Sequence, residues 1–310
     1  MNFGQVVKQE ILNKPIKERA DKKAFLAGII RGNGSLFSRD GEMGLDFYVF
    51  GEDTANLVMN FFRILYSYEF REIAFENRIN KSDKVTLTLF GNQTLEILQD
   101  LGVITDTDGE LAVNLKIFSI ANDESSVKAF LKGLFVSVGS CTFPSKNSNT
   151  GYHLELVFSH SAPASETMLK LAEYQVNSKI TRRKESFVLY VKSAEEIRNF
   201  IAFIGAPVSV LKMTDFMINR EMSNMSNRQA NCDMGNVNRQ IEAVEKQINA
   251  IKKIQRELGF SKLKEDLKIT AEYRVKYKDE SMVELAEIMG VSKSCLNHRL
   301  RKLVAIADEL

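Results

Sequence analysis

Two stretches of this 310-residue chain repeat each other at an offset of 105 residues. Ala24–Ser35 reads AFLAGIIRGNGS and Ala129–Ser140 reads AFLKGLFVSVGS. Six of the twelve positions are identical: Ala24/Ala129, Phe25/Phe130, Leu26/Leu131, Gly28/Gly133, Gly34/Gly139 and Ser35/Ser140. Such self-similarity restricts the fold more than any single residue, because the elements after one copy should recur after the other. After the first copy, Ser35–Asp40 and Gly44–Phe50 read as strands. Asp53–Tyr66 reads as a helix with Leu57, Val58, Phe61, Phe62 and Leu65 on one face. Strands Phe70–Glu76 and Lys84–Phe90 follow, then helix Asn92–Leu101, closed by Gly102. After the second copy the order returns. Strands Ser140–Ser145 and Tyr152–Ser159 precede helix Ala162–Tyr174, with Pro163 in its first turn. Strands Ser178–Lys184 and Ser186–Val191 precede helix Ser193–Ile204, closed by Gly205. The expected fold class is α+β, a tandem αββαββ duplication followed by an all-α region. Two unrelated amphipathic helices with C-terminal glycines would share the motif but not the downstream order.

Gly28, with Ala24 and Ala27, and Gly133, with Ala129, strip bulk from the opening helix of each repeat. Two such helices are expected to meet backbone to backbone. Gly34 and Gly139 are expected to end them in the left-handed conformation that glycine accepts without strain. Leu26–Gly34 (LAGIIRGNG) resembles the LAGLIDADG helix of homing endonucleases, and Leu131–Gly139 (LKGLFVSVG) is similar to a second copy. The resemblance implies two helices side by side at a pseudo-twofold axis, with a penultimate Asp in each motif holding the divalent metals that cut DNA. Here those positions carry Asn33 and Val138. Hard Mg²⁺ requires anionic oxygen ligands. Asn33 offers one neutral carbonyl and Val138 offers nothing, while Asp40 and Glu42 fall beyond the helix end. No catalytic residue, metal site or cofactor is therefore expected. The alternative, an active LAGLIDADG endonuclease or RNA maturase, is disfavoured by the same two positions.

The net charge of +2 hides a local imbalance. Residues 24–110 hold 7 basic and 14 acidic side chains, whereas residues 111–210 hold 11 and 8. DNA is gripped by neutralising phosphates, so the first repeat should repel a phosphate backbone. In the second, Lys179, Arg182, Arg183 and Lys184 form a basic cluster. It reads equally as a nucleic-acid contact or as a charged hairpin edge. His153 and His160 are seven apart in an extended run and point to opposite faces, so no shared metal site is expected. Three well-separated cysteines (Cys141, Cys232, Cys295) argue for a reducing compartment. No apolar run approaches the ~20 residues that span a bilayer, and the N-terminus shows no signal-peptide pattern. A cytoplasmic protein with no membrane contact is expected.

The expected domain order is an N-terminal helical segment (1–23), the duplicated domain (24–210, repeats about 24–110 and 129–205), a linker (211–235) and a helical DNA-binding domain (236–310). The domain boundary is placed at about residue 220, near Met222–Asn238, a stretch rich in Asn, Ser and Met with little periodicity. A helix is expected over Val237–Leu258, where Val237, Ile241, Val244, Ile248, Ile251 and Leu258 form a heptad seam and Gly259 ends it. Packing of this seam within its own domain, in a monomer, is favoured over a dimeric coiled coil. Residues 246–278 carry 10 basic side chains against 4 acidic ones.

The sharpest local pattern lies at about 281–307. Ser281–Met289 reads as a short helix, Gly290-Val291 as a tight turn, and Ser292 as the cap of a second helix reaching about Asp308. Ala286 and Gly290 have helix-turn-helix spacing. Leu296, Leu300, Leu303 and Ile306 form the buried stripe, opposite Lys293, Ser294, Asn297, His298 and Arg301. Residues 292–302 contain four basic side chains and no acidic one. Ser292, Lys293, Ser294, Asn297, His298, Arg299, Arg301 and Lys302 are the candidate DNA contacts. Asn297 and Arg301 are the base readers, because Asn and Arg pair bidentately with adenine and guanine; Arg299 and Lys302 flank them for phosphates. A small helical domain with a solvated basic face is the bland alternative.

A degenerate LAGLIDADG pair followed by this helix-turn-helix resembles the WhiA family of bacterial regulators. Asn227–Asp233 (NRQANCD) and Val291–Leu303 (VSKSCLNHRLRKL) fit the same family. The resemblance implies a double-stranded DNA-binding transcription factor tied to cell division, chromosome segregation and, in spore-formers, sporulation. It would be cytoplasmic and nucleoid-associated, with the duplicated domain open to a protein partner. A nucleoid-binding structural protein without promoter specificity is the other reading.

Overall fold

The computed structural model describes residues 2–77, 83–107, 110–144 and 151–310. The chain divides into two compact units, residues 1–218 and 219–310. The first opens with α1 (Phe3–Leu12), started by a reciprocal capping box between Asn2 and Gln5. The first repeat is α2 (Arg19–Asn33), β1 (Ser35–Arg39), β2 (Glu42–Phe50), α3 (Glu52–Tyr66), β3 (Glu72–Glu76), β4 (Lys84–Leu89) and α4 (Thr94–Asp100). A hairpin of β5 (Ile104–Thr107) and β6 (Glu110–Val113) leads to the second. That repeat is α5 (Glu124–Val138), β7 (Gly139–Thr142), β8 (His153–Phe158), α6 (Ser161–Glu173), β9 (Lys179–Arg183), β10 (Ser186–Val191) and α7 (Ala194–Phe203). Each repeat forms one antiparallel four-stranded sheet, in the matching orders β1-β2-β4-β3 and β7-β8-β10-β9. Ser145, the expected end of β7, lies outside the described residues. The β5–β6 hairpin is too short to show a period and was not expected.

The two motif helices form the centre of this unit. Each is 15 residues long, and their bounds differ by 105 at both ends. Ala24–Ile30 is buried on every side, as a helix enclosed by protein must be. No other pair of elements among the described residues makes so extensive a contact as α2 with α5. The contact is reciprocal. A Cβ on Gly28 would overlap the Phe130 carbonyl oxygen and come within 2.9 Å of the Leu134 nitrogen. A Cβ on Gly133 would overlap the Phe25 carbonyl oxygen, the same position one repeat earlier. Both glycines remove the one atom that would hold the backbones apart.

Gly34 and Gly139 differ from expectation. Both are extended, with φ −70° and −80°, not left-handed. Their cause is space: a Cβ would lie 2.6 Å from the Ile30 oxygen at Gly34 and 2.5 Å from the Phe135 oxygen at Gly139. The chain leaves each helix directly into a strand, and any side chain would strike the last helical turn.

Helix α1 buries Val7 and Ile11. Its Lys8 Nζ donates to the Val136 carbonyl at 2.9 Å and lies 5.6 Å from the centre of the Phe135 ring. Glu10 accepts from the Val208 and Ser209 amides and the Ser209 hydroxyl, capping the start of α8 (Pro207–Glu257). Burial pulls the Lys8 ammonium down from 10.5 to about 8. Between those values the folded chain holds Lys8 neutral while the unfolded chain holds it charged, so stability contributed here rises with pH. Below pH 8 both states carry the proton and the burial penalty is constant. The stability difference between a Lys8→Met variant and the native chain is therefore expected to change between pH 8 and 10.5, with the native chain gaining. Parallel urea midpoints for the two chains across that window would refute it.

In the second unit α8 is followed by a 3₁₀ turn (Phe260–Lys262), α9 (Glu265–Lys276), α10 (Met282–Ile288) and α11 (Lys293–Asp308). The helix expected from Val237 begins thirty residues earlier, at Pro207, so the segment read as a linker, 211–235, is helical. After Pro207 it contains no proline and one glycine, Gly235, so nothing breaks it. Residues 219–234 are all exposed, and such a stretch needs no apolar face. The seam enters the core only in its C-terminal half. Ile251 is buried, with Ile254 beside it off the seam, whereas Val237 and Ile241 are 49% and 51% exposed.

Candidate nucleic-acid interface

The geometry at Asn33 explains what has replaced the acid at this position. Its Oδ1 accepts from the Tyr48 amide at 2.9 Å. Its Nδ2 donates to the Tyr48 carbonyl at 2.8 Å and to Ser137 Oγ at 2.6 Å. Ser137, on the sister helix, donates in turn to the Ile29 carbonyl. The amide thus ties α2 to β2 and to α5. A carboxylate could not donate to Tyr48, and the Asn33 carbonyl that a metal would need is already engaged. Val138 packs against the apolar core. Asp40 sits in the β1–β2 turn with φ +53°. Among the described residues no group of three His, Cys, Asp or Glu side chains is placed to hold a metal ion.

The sheet faces turned away from the helices differ in charge. Register places Glu42, Asp46, Glu72 and Glu76 with Arg39 and Lys84 on the first. Arg39 pairs with Glu72 at 2.8 Å and Lys84 with Glu76 at 3.4 Å, so both bases are already neutralised. On the second, register brings Lys179 and Arg183 to the side of Glu155. Arg183 lies 2.7 Å from Glu155, which His153 also contacts at 2.7 Å. These partners hold the Glu155 carboxyl below its usual range despite the opposing effect of burial. The cluster Lys179–Lys184 spans the edge strand β9 and its turn. His160 is not in the strand: it precedes α6 as its cap.

The second unit holds a helix-turn-helix. Helix α10 starts with a capping box between Ser281 and Glu284. It ends at Gly290, whose φ of +63° opens the left-handed turn. The Gly290 amide bonds the Glu287 carbonyl and the Val291 amide bonds that of Ala286, a Schellman closure. Ala286 is 3% exposed, as a small residue at a helix crossing should be. Ser292 caps α11 by accepting from the Cys295 amide at 3.2 Å.

Helix α11 buries Leu296, Leu300, Leu303 and Ala307; Ile306, expected as the fourth of the stripe, is only partly buried. One turn of α-helix beyond Leu303 falls on 307, and the small alanine fits there. Ser292, Lys293, Ser294, Asn297, His298, Arg301 and Lys302 are all exposed. Asn297 and Arg301 lie one turn apart on the exposed side. Arg299 is half-buried, its Nε 3.7 Å from Asp266 at the start of α9, so it is anchored within the fold rather than free beside Lys302.

Sequence periodicity did not reveal α9. Its buried positions include Thr270 and Arg274 beside Leu267 and Ala271, so its inner face does not read as apolar. It supplies the third helix on which α11 packs.

Residues 22–105 and 127–223 match the family described as the WhiA LAGLIDADG-like domain, and residues 226–307 match the WhiA C-terminal HTH domain. The whole chain is 33% identical over 318 residues to a Clostridium novyi (strain NT) protein and 32% identical over 319 residues to one from Clostridium acetobutylicum. Both are named "Probable cell division protein WhiA", and the matches span 98% of each. The fold is similar to the crystal structure of full-length DUF199/WhiA from Thermatoga maritima, with a TM-score of 0.59 and 24% identity over 100% of this chain and 99% of that one. A duplicated LAGLIDADG-like unit joined to a C-terminal helix-turn-helix, matched by family and by relatives from end to end, makes this chain a member of the WhiA family.

Proposed function

We propose that the chain is a sequence-specific DNA-binding transcriptional regulator, acting in bacterial cell division and chromosome segregation and, in spore-formers, sporulation. Its place would be the nucleoid, in the cytoplasm. The observation that carries the reading is the exposed face of α11. It presents Lys293, Ser294, Asn297, His298, Arg301 and Lys302 with no acid, on a helix whose first turn also lacks one. An acid-free helix start favours phosphate, and a capped helix-turn-helix delivers such a helix to the major groove by its N-terminal half. Ser292 and Ser294 at the helix start serve phosphate, Asn297 and Arg301 serve bases, and Lys302 flanks them, while Arg299 stays against Asp266. The LAGLIDADG-like unit does not cut DNA in this reading, because Asn33 and Val138 replace the acids such chemistry needs. With its acidic first sheet face, that unit is the one left for a protein partner. The relatives' printed name supports the cell-division role.

Selection of duplexes from a random pool by the full-length chain is expected to converge on one sequence, with no cleavage of it in Mg²⁺ or Mn²⁺. Retention of every duplex alike would instead mark a nucleoid-binding structural protein. Metal-dependent cutting lost in Asn33→Ala would restore the endonuclease reading.

A further inference from the structure

We propose that Arg274 is a positioning residue for DNA reading: from α9 it fixes the loop that sets α10, and through α10 the seat of α11. This rests on the reading of α11 as the DNA-reading helix. Among the described residues, Arg274 heads the fully buried side chains by volume, at 0% exposure. An arginine removed from water costs free energy unless its donors are matched. Here Nη1 donates to the Glu280 carbonyl at 2.9 Å and Nη2 to the Lys278 carbonyl at 3.2 Å. Among the described residues its Nε has no hydrogen-bond partner. The fork is spent on two loop carbonyls, and an apolar side chain would have filled the same space at less cost.

The two carbonyls flank Asp279 and stand just before Ser281, the residue that caps α10. Helix α10 has seven residues, too few to hold a helix or a direction alone. Its entry is held by the guanidinium fork beside the Ser281–Glu284 capping box, and its exit by the Gly290 closure. Its buried Leu285 and Ala286 share one core with Leu296 and Leu300 of α11. A planar fork with two fixed donors can hold both carbonyls at once; a lysine ammonium on a flexible stem is less well matched. Loosening this loop should let α10 and α11 shift by fractions of an ångström. Sequence is read by contacts to base edges, whereas phosphate contacts carry no sequence information, so a displaced α11 should lose preference between duplexes.

The test uses the full-length chain, the duplex it selects from a random pool, and a scrambled duplex of equal length. Arg274→Met is expected to lose at least tenfold affinity for the selected duplex and under threefold for the scrambled one, at a temperature where the variant is folded. Arg274→Lys should recover part of the loss. Ile254→Ala, which loosens the same core from α8, should leave the preference between duplexes intact. Equal losses on both duplexes, an unchanged preference in Arg274→Met, or the same change in Ile254→Ala would each overturn the proposal. If the native chain itself shows no preference, the regulator reading fails. The structural part is then judged by hydrogen exchange: amides of residues 277–285 should exchange at least tenfold faster in Arg274→Met, and unchanged exchange would refute it.

Discussion

A Gly28→Ala chain is expected to lose the folded state of its duplicated unit while the C-terminal unit keeps a separate melting transition. Glycine to alanine inside a helix ordinarily stabilises by roughly 0.5–1 kcal/mol, since glycine loses more backbone freedom on folding. Here the sign reverses. The new methyl would occupy the space of the Phe130 carbonyl oxygen and stand 2.9 Å from the Leu134 nitrogen. These are backbone atoms of a helix enclosed on all sides, so relief requires separating α2 from α5. Both helices bury apolar side chains around that contact, among them Phe25, Leu26, Phe130 and Leu131 at 0% exposure. Overpacking of this kind costs about 3 kcal/mol or more, a large part of a total of roughly 5–15 kcal/mol. Gly133→Ala should behave alike, its methyl meeting the Phe25 oxygen. Calorimetry of both variants checks this. A stabilised or unchanged first unit in either one would show that the helices do not meet as described.

The same glycines explain why the first unit was readable in the sequence. Close helix packing leaves few substitutes at Gly28 and Gly133, and the duplication printed that constraint twice. The central strands were legible because half of each faces a core: β4 and β8 alternate between buried and half-buried positions along their length. Where residues meet only solvent, nothing marks the helix. Met222–Asn238 lacks periodicity because it has no inner face, and periodicity reports burial rather than helicity. Helix α9 hides for the opposite reason, since part of its inner face is polar at Thr270 and Arg274. Gly34 and Gly139 carry another lesson. A glycine at a helix end suggests the left-handed turn, as Gly290 shows, but a tight exit into a strand demands glycine equally. On α11, the Leu296, Leu300 and Leu303 stripe assigned the outer face correctly. The stripe carries no sign of Arg299 held by Asp266, because the partly polar inner face of α9 leaves that helix without an apolar period.

Asn297→Ala and Arg301→Ala are each expected to cost on the order of 1–3 kcal/mol on the selected duplex, a loss of roughly fivefold to more than a hundredfold. Both side chains are exposed and one turn apart, so truncation leaves the fold intact and removes only what faces the ligand. Discrimination should relax at one base pair for each. Lys302→Ala, on the flank, should instead weaken binding to all duplexes and reduce the salt slope by about one, the signature of a lost phosphate contact.

The most direct measurement is the affinity of the full-length native chain and of Asn297→Ala and Arg301→Ala for the selected and scrambled duplexes, each across a series of salt concentrations. A reading helix predicts a marked loss on the selected duplex, little loss on the scrambled one and a salt slope changed less than by Lys302→Ala. Equal losses on both duplexes in both variants would contradict it and leave α11 as a holder of phosphate.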